Sequence, residues 1–95
     1  MRLRYTRLAL ADLDEAYAFI HAENPRAAKA VTARLREAVD RLVRFPDSGR
    51  PGRVAGTREL VVANTPFVVA YRVTAETVDV LAVLHASRRW PSSFG

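Results

Sequence analysis

His85, Arg88, Arg89 and Trp90 fall close together at the end of an apolar run, in the stretch VLHASRRWP from Val83 to Pro91. An imidazole can move a proton near neutral pH, guanidiniums grip phosphate or carboxylate, and an indole offers a flat apolar surface. Upstream, Arg58, Glu59 and Arg72 add one carboxylate and two more cations. Metal-free cleavage of RNA needs a general base, a general acid and cations for the developing phosphate charge. Glu59, His85, Arg72 and Arg88 are of the right types for those roles. The same residues, with Arg58, Arg89 and Trp90, suit a contact surface for an anionic partner. No Walker loop, paired-carboxylate spacing, Ser-His-Asp order or GxGxxG is present. The two histidines, His21 and His85, fit no zinc spacing, so neither a metal nor a cofactor is expected.

Each of these residues also has a purely structural use. A histidine at a strand end can be a hydrogen-bonded scaffold residue, and Arg72, flanked by apolar neighbours, can snorkel or pair with Glu76. Trp90 can close one end of the core. His21, among acidic residues on a helix, reads as surface. Tyr71 reads as core, with a hydroxyl that needs a partner.

These side chains must be carried by one domain, residues 1–95, because two cores in 95 residues would each be too small. The composition, 49% hydrophobic and 26% charged, is that of a folded chain. No apolar run is long enough for a membrane span, and Met1-Arg2-Leu3-Arg4 lacks a signal-peptide core. With no cysteine, disulfides and thiolate chemistry are excluded, and the cytoplasm is the expected compartment. The net charge of +5 points to acidic partners, nucleic acid or an anionic protein surface. In the second half, Arg50, Arg53 and Arg58 precede any acidic residue after Asp47.

Residues 2–6 alternate as a short strand, and Thr6 can cap a helix with Leu10, Leu13, Tyr17 and Ile20 on its inner stripe. Asn24-Pro25 starts a second helix, with Ala28, Val31, Leu35, Ala38, Val39 and Leu42 inward, ending near Phe45-Pro46. A connection this short predicts an antiparallel helical hairpin. Residues 47–56 hold three of the four glycines and read as loop. Residues 57–63, 66–73 and 77–85 read as three consecutive antiparallel strands. The order β-α-α-β-β-β predicts an α+β fold, an antiparallel twisted sheet with the N-terminal helical hairpin packed on one face. Strict alternation groups Asp79, Leu81, Val83 and His85 on one face of the last strand. It also makes Arg72 and His85 candidates for the sheet face without helices.

The segments PDSGRPGR, GTRELVV, PFVVAYRV and VDVLAVLHASRRWP together resemble the ParE/RelE superfamily of type II toxin–antitoxin toxins, the plasmid stabilisation proteins. The resemblance spans nearly the whole chain. It implies a toxin neutralised by a cognate antitoxin, a small acidic ribbon-helix-helix protein of ParD type. RelE-like members cleave mRNA on the ribosome, using an arginine on the middle strand shortly before the shared tyrosine. Here Phe67-Val68-Val69-Ala70 fills that stretch, and Arg72 follows Tyr71 instead. The preceding strand has Arg58 and Glu59 but no lysine pair. Loss of the cation that offsets transition-state charge is costly to any nuclease. The resemblance therefore favours the ParE-like branch, which binds DNA gyrase. In that reading Arg58, Arg72, His85, Arg88, Arg89 and Trp90 are target-binding residues, and the ribosome-dependent endonuclease is the alternative.

Overall fold

A computed structural model describes residues 1–94. Strand β1 (Arg2–Tyr5) leads into helices α1 (Arg7–Glu23) and α2 (Pro25–Arg41), followed by β2 (Arg50–Pro51), β3 (Arg58–Val61), β4 (Phe67–Val73) and β5 (Thr77–His85). Thr6 caps α1 by accepting the Ala9 N–H at 3.1 Å. Asn24 serves both helices at once: its N–H donates to the Ile20 carbonyl at 2.8 Å, and its Oδ1 accepts the Ala27 N–H at 3.1 Å. One residue thus ends one helix and starts the next, which forces the hairpin. No helix among the described residues is long and apolar enough to cross a membrane.

The α+β architecture matches the sequence expectation, with one sheet of order β1-β5-β4-β3-β2. It is mixed rather than wholly antiparallel: β1 runs parallel to β5, while β2, β3, β4 and β5 pair antiparallel. Alternation of apolar side chains reports which face a strand buries, not which way it runs, so the sequence left this undetermined. The segment 47–56, expected as loop, contains the two-residue strand β2.

The inner stripe of α1 is Ala9, Leu13 and Ala16, with Ile20 partly buried. Leu10 and Tyr17, expected there, are 48% and 37% exposed. The small alanines let α1 lie close to the sheet, which turns the larger neighbours outward. The core joins these residues to Leu35, Ala38 and Val39 of α2 and to Phe67, Val69, Val80 and Val83 of the sheet.

One irregularity reorganises the sheet. Ala70 pairs with Ala82 but Tyr71 pairs with Val80, so Leu81 is an extra residue in β5. A bulge of this kind reverses the alternation on either side of it. Val78 and Val80 therefore share the helix-covered face with Val83 and His85, whereas strict alternation had put them on opposite faces. The backbone of β5 at the bulge and beyond the end of β1 is also used. Leu81 O accepts from the Thr6 hydroxyl at 3.1 Å, and the Val83 N–H donates to Asp12 Oδ2 at 2.9 Å.

Candidate functional site

The open face of the sheet, the one without helices, carries two rows of charge. In the first, the Arg4 guanidinium grips Asp79 through two bonds of 2.8 and 3.0 Å. That bond is the main reason the Asp79 carboxyl is held below its usual range, with Arg72 adding a smaller electrostatic pull. Arg72 faces Asp79 across the β4–β5 pair and is exposed. Among the described residues it makes no hydrogen bond or ion pair, and the pairing with Glu76 does not occur.

The second row is built on Glu59, which is only 3% exposed. Its Oε1 accepts from Arg50 Nη2 at 3.1 Å and Nε at 3.3 Å. Its Oε2 accepts the Arg53 backbone N–H at 2.8 Å and lies 3.6 Å from Arg53 Nε. A carboxylate engaged this fully anchors the 50–53 segment to the sheet, and its lone pairs are not free to take a substrate proton. The Arg53 guanidinium in turn lies 3.8 Å from the centre of the Trp90 ring. Trp90, half-buried, is thus stacked on a cation held by the open-face residue Glu59. Val68, Ala70 and Ala82, whose side chains share the face of Arg72, are buried.

Arg58 points to the other side of β3 and does not join Glu59. It donates to the Gly49 carbonyl at 2.7 Å and lies 3.5 Å from Asp47 Oδ1. Tyr71, its cross-strand partner, pins the same turn from below. The Tyr71 hydroxyl donates to Pro46 O at 2.7 Å and accepts the Gly49 N–H at 2.9 Å. This is the partner its hydroxyl needed. A side chain at Gly49 would collide with that ring, which accounts for glycine in the DSGR turn.

His85 lies elsewhere. Phe67 is its cross-strand partner, the two rings meeting edge to face at 5.7 Å between centroids. His85 lines a cleft of about 190 Å³ between α1 and the end of the β4–β5 hairpin, with Asp12, Glu15, Phe19, Phe67 and Arg88. The Ser87 N–H approaches Nδ1 at 3.2 Å, so that nitrogen accepts and a neutral ring carries its proton on Nε2. The Ser87 hydroxyl is 2.7 Å from the same nitrogen. Asp12, missed in the sequence reading, is pushed up from the ordinary carboxyl range mainly by burial; the Val83 N–H opposes the push and Glu15 adds to it. Its signal was legible as the one acid three residues after Ala9 and just before Leu13, on the edge of the buried stripe. Arg88 and Arg89 are exposed.

The site residues therefore fall into three places. Glu59 and Arg72 share the open face, His85 and Arg88 border a cleft on the helix-covered face, and Arg58 holds a turn. Arg72 and His85, expected together, are separated by the bulge at Leu81.

The molecule matches known proteins along most of its length. The family model for the ParE toxin of the type II toxin–antitoxin system, parDE, matches residues 3–90. A candidate toxin, Y4kP of Sinorhizobium fredii, is 48% identical over 95% of this chain and 93% of its own. Toxin RelE2 of Caulobacter vibrioides is 38% identical over 88% of this chain and 93% of its own. Among solved structures, a chromosomal ParDE toxin–antitoxin system from P. aeruginosa superposes with a TM-score of 0.80 at 32% identity, covering 87% of this chain and 92% of the other. The RelBE2 toxin–antitoxin complex of Mycobacterium tuberculosis gives a TM-score of 0.56 at 30% identity, covering 88% and 95%. With the family model spanning nearly the whole sheet and both helices, this chain belongs to the ParE toxin family of type II toxin–antitoxin systems.

Proposed function

We propose that this toxin arrests growth by binding DNA gyrase rather than by cutting RNA. The observation that carries the reading is the separation of Arg72 and Glu59 from His85. A nuclease needs base, acid and phosphate clamp around one scissile bond. Here the carboxylate is locked by Arg50 and Arg53, and the imidazole opens into a cleft on the opposite face. What remains is a set of exposed cations, Arg72, Arg88 and Arg89, suited to holding an acidic or nucleic-acid-bearing partner. The higher TM-score to the ParDE toxin than to the RelBE2 complex supports the same branch. The rival reading, ribosome-dependent mRNA cleavage, draws on the name of the C. vibrioides relative and on His85 beside Arg88. Both targets are cytoplasmic, and so is the toxin in this reading.

The partner that restrains it is a cognate antitoxin, in keeping with the toxin–antitoxin complexes among its structural neighbours. Leu8, Leu10, Tyr17 and Phe19 on α1, and Phe45 and Val61 by the β3 edge, are apolar and exposed in the free toxin. Such surface calls for a cover. A small acidic ribbon-helix-helix protein of ParD type would complement the net charge of +5.

The deciding experiment runs the purified toxin in gyrase supercoiling and ribosomal mRNA-cleavage assays side by side. Gyrase inhibition, lost in Arg88→Ala/Arg89→Ala but retained in His85→Ala, is the expected result. Transcript cleavage that disappears in His85→Ala would overturn the reading.

A further inference from the structure

The C-terminal tail is held by few hydrogen bonds. The Ala86 N–H donates to Pro66 O and the Arg88 N–H to His85 O, at 2.9 and 3.0 Å. From Arg89 onward no hydrogen bond is made among the described residues. The Trp90 indole N–H is sealed from solvent with no acceptor, so polar bonding does not hold that ring in place. The Arg53 guanidinium lies over it, 3.8 Å from the ring centre. Arg53 is itself fixed from behind, since its backbone N–H is bound by buried Glu59. A chain of contacts therefore runs from β3, through Glu59 and Arg53, to Trp90, next to Arg88 and Arg89.

We infer that Arg53 is a positioning residue: by stacking on Trp90 it latches the tail to the sheet and sets where Arg88 and Arg89 are presented. Glu59 serves the latch by fixing Arg53, which gives a buried carboxylate in a binding toxin a use without proton transfer. The link to toxicity rests on the reading of the tail as the target contact; the latch itself does not.

Trp90 is the sole tryptophan, so intrinsic fluorescence reports the latch directly. Arg53→Ala removes the guanidinium but keeps the main-chain bond to Glu59. It is expected to shift Trp90 emission to longer wavelength, raise acrylamide quenching and speed tryptic cleavage at Arg88 and Arg89, with unchanged far-ultraviolet circular dichroism. A cation–π contact of this kind shifts the open tail population by about 2- to 30-fold, and the cleavage rate should follow. Arg53→Lys, which keeps a cation over the ring, should restore most of the wild-type emission. Arg50→Ala frees Glu59 Oε1 but keeps the Oε2 bond to the Arg53 N–H and the stack, so emission should stay near wild type. Should Arg53→Ala fail to fold, Arg53→Met keeps the aliphatic stem and removes only the charge.

Wild-type emission and quenching in folded Arg53→Ala or Arg53→Met would overturn the latch. The two ideas fail separately. A released tail with undiminished gyrase inhibition leaves the latch standing and removes the tail from the target contact. Loss of inhibition in Arg88→Ala/Arg89→Ala with an unmoved Trp90 spectrum in Arg53→Ala does the reverse.

Discussion

Arg72 and His85 lie on opposite faces of one sheet, although both belong to the β4–β5 hairpin. Arg72 pairs with Asp79 and His85 with Phe67, so the two sit toward opposite ends of that hairpin. On the regular strand β4, Arg72 and Phe67, the partner of His85, are five residues apart, about 17 Å of strand at roughly 3.3 Å per residue. Groups this far apart act independently. The effects of Arg72→Ala and His85→Ala on growth arrest should multiply, with no coupling beyond about 0.5 kcal/mol in a double-mutant cycle. Measured coupling well above that would mean one shared substrate.

The turn at residues 46–49 depends on a single phenol. Tyr71→Phe keeps the ring but leaves Gly49 N–H and Pro46 O without their partner in a buried site. A loss of about 1–3 kcal/mol in chemical denaturation is expected. Gly49→Ala should be destabilising as well, because its Cβ would come 2.6 Å from Tyr71 Oη and 2.9 Å from Glu59 O. Both variants should weaken toxicity only through the folded fraction, which melting curves at the assay temperature can check.

Two aspartates give opposite slopes against pH. Arg4 lowers the folded-state pKa of Asp79, so its contribution is present above the unfolded carboxyl range, about 4. It is lost as pH falls through the lowered folded value. Asp79→Asn should flatten the acid limb of a plot of melting temperature against pH. A limb unchanged in this variant would remove Asp79 from the account.

Asp12 works the other way. Burial raises its pKa, so stability falls as pH rises from the unfolded carboxyl range through the raised folded value. Asp12→Asn keeps an acceptor for the Val83 N–H and drops the buried charge; it should be no less stable than wild type at pH 7. Asp12→Ala leaves that N–H unpaired and should cost about 1–3 kcal/mol in the same melts. A cost in the Asn variant equal to that in Ala would show that the charge itself holds β5.

The antitoxin contact is testable without knowing its geometry. Covering the exposed apolar side chains of α1 and the β3 edge should bury on the order of 2,000 Å² or more, as permanent complexes do. With a toxin of charge +5, association should quicken at low salt. A rate indifferent to ionic strength would remove the acidic character of the partner.

The helical hairpin, the three consecutive strands and the family were legible in the residues themselves. Asn24-Pro25 is a local signal, since cap and proline act within one turn of chain. The β-branched runs after Pro46 are likewise set by short-range packing on a pleated surface. The direction of β1 was not legible, because side-chain alternation carries no sense of direction. Nor was the inner stripe of α1: Ala9 and Leu10 both fit a helical period, and only the closeness of the sheet selects the smaller residue. The site was read as residue types and misread as a constellation. Pairing Ala70 with Ala82 and Tyr71 with Val80 is a relation between two strands, and nothing within β5 marks Leu81 as the extra residue. That one residue, counted across the sheet and not along the chain, puts His85 beside α1 and leaves Arg72 on the open face.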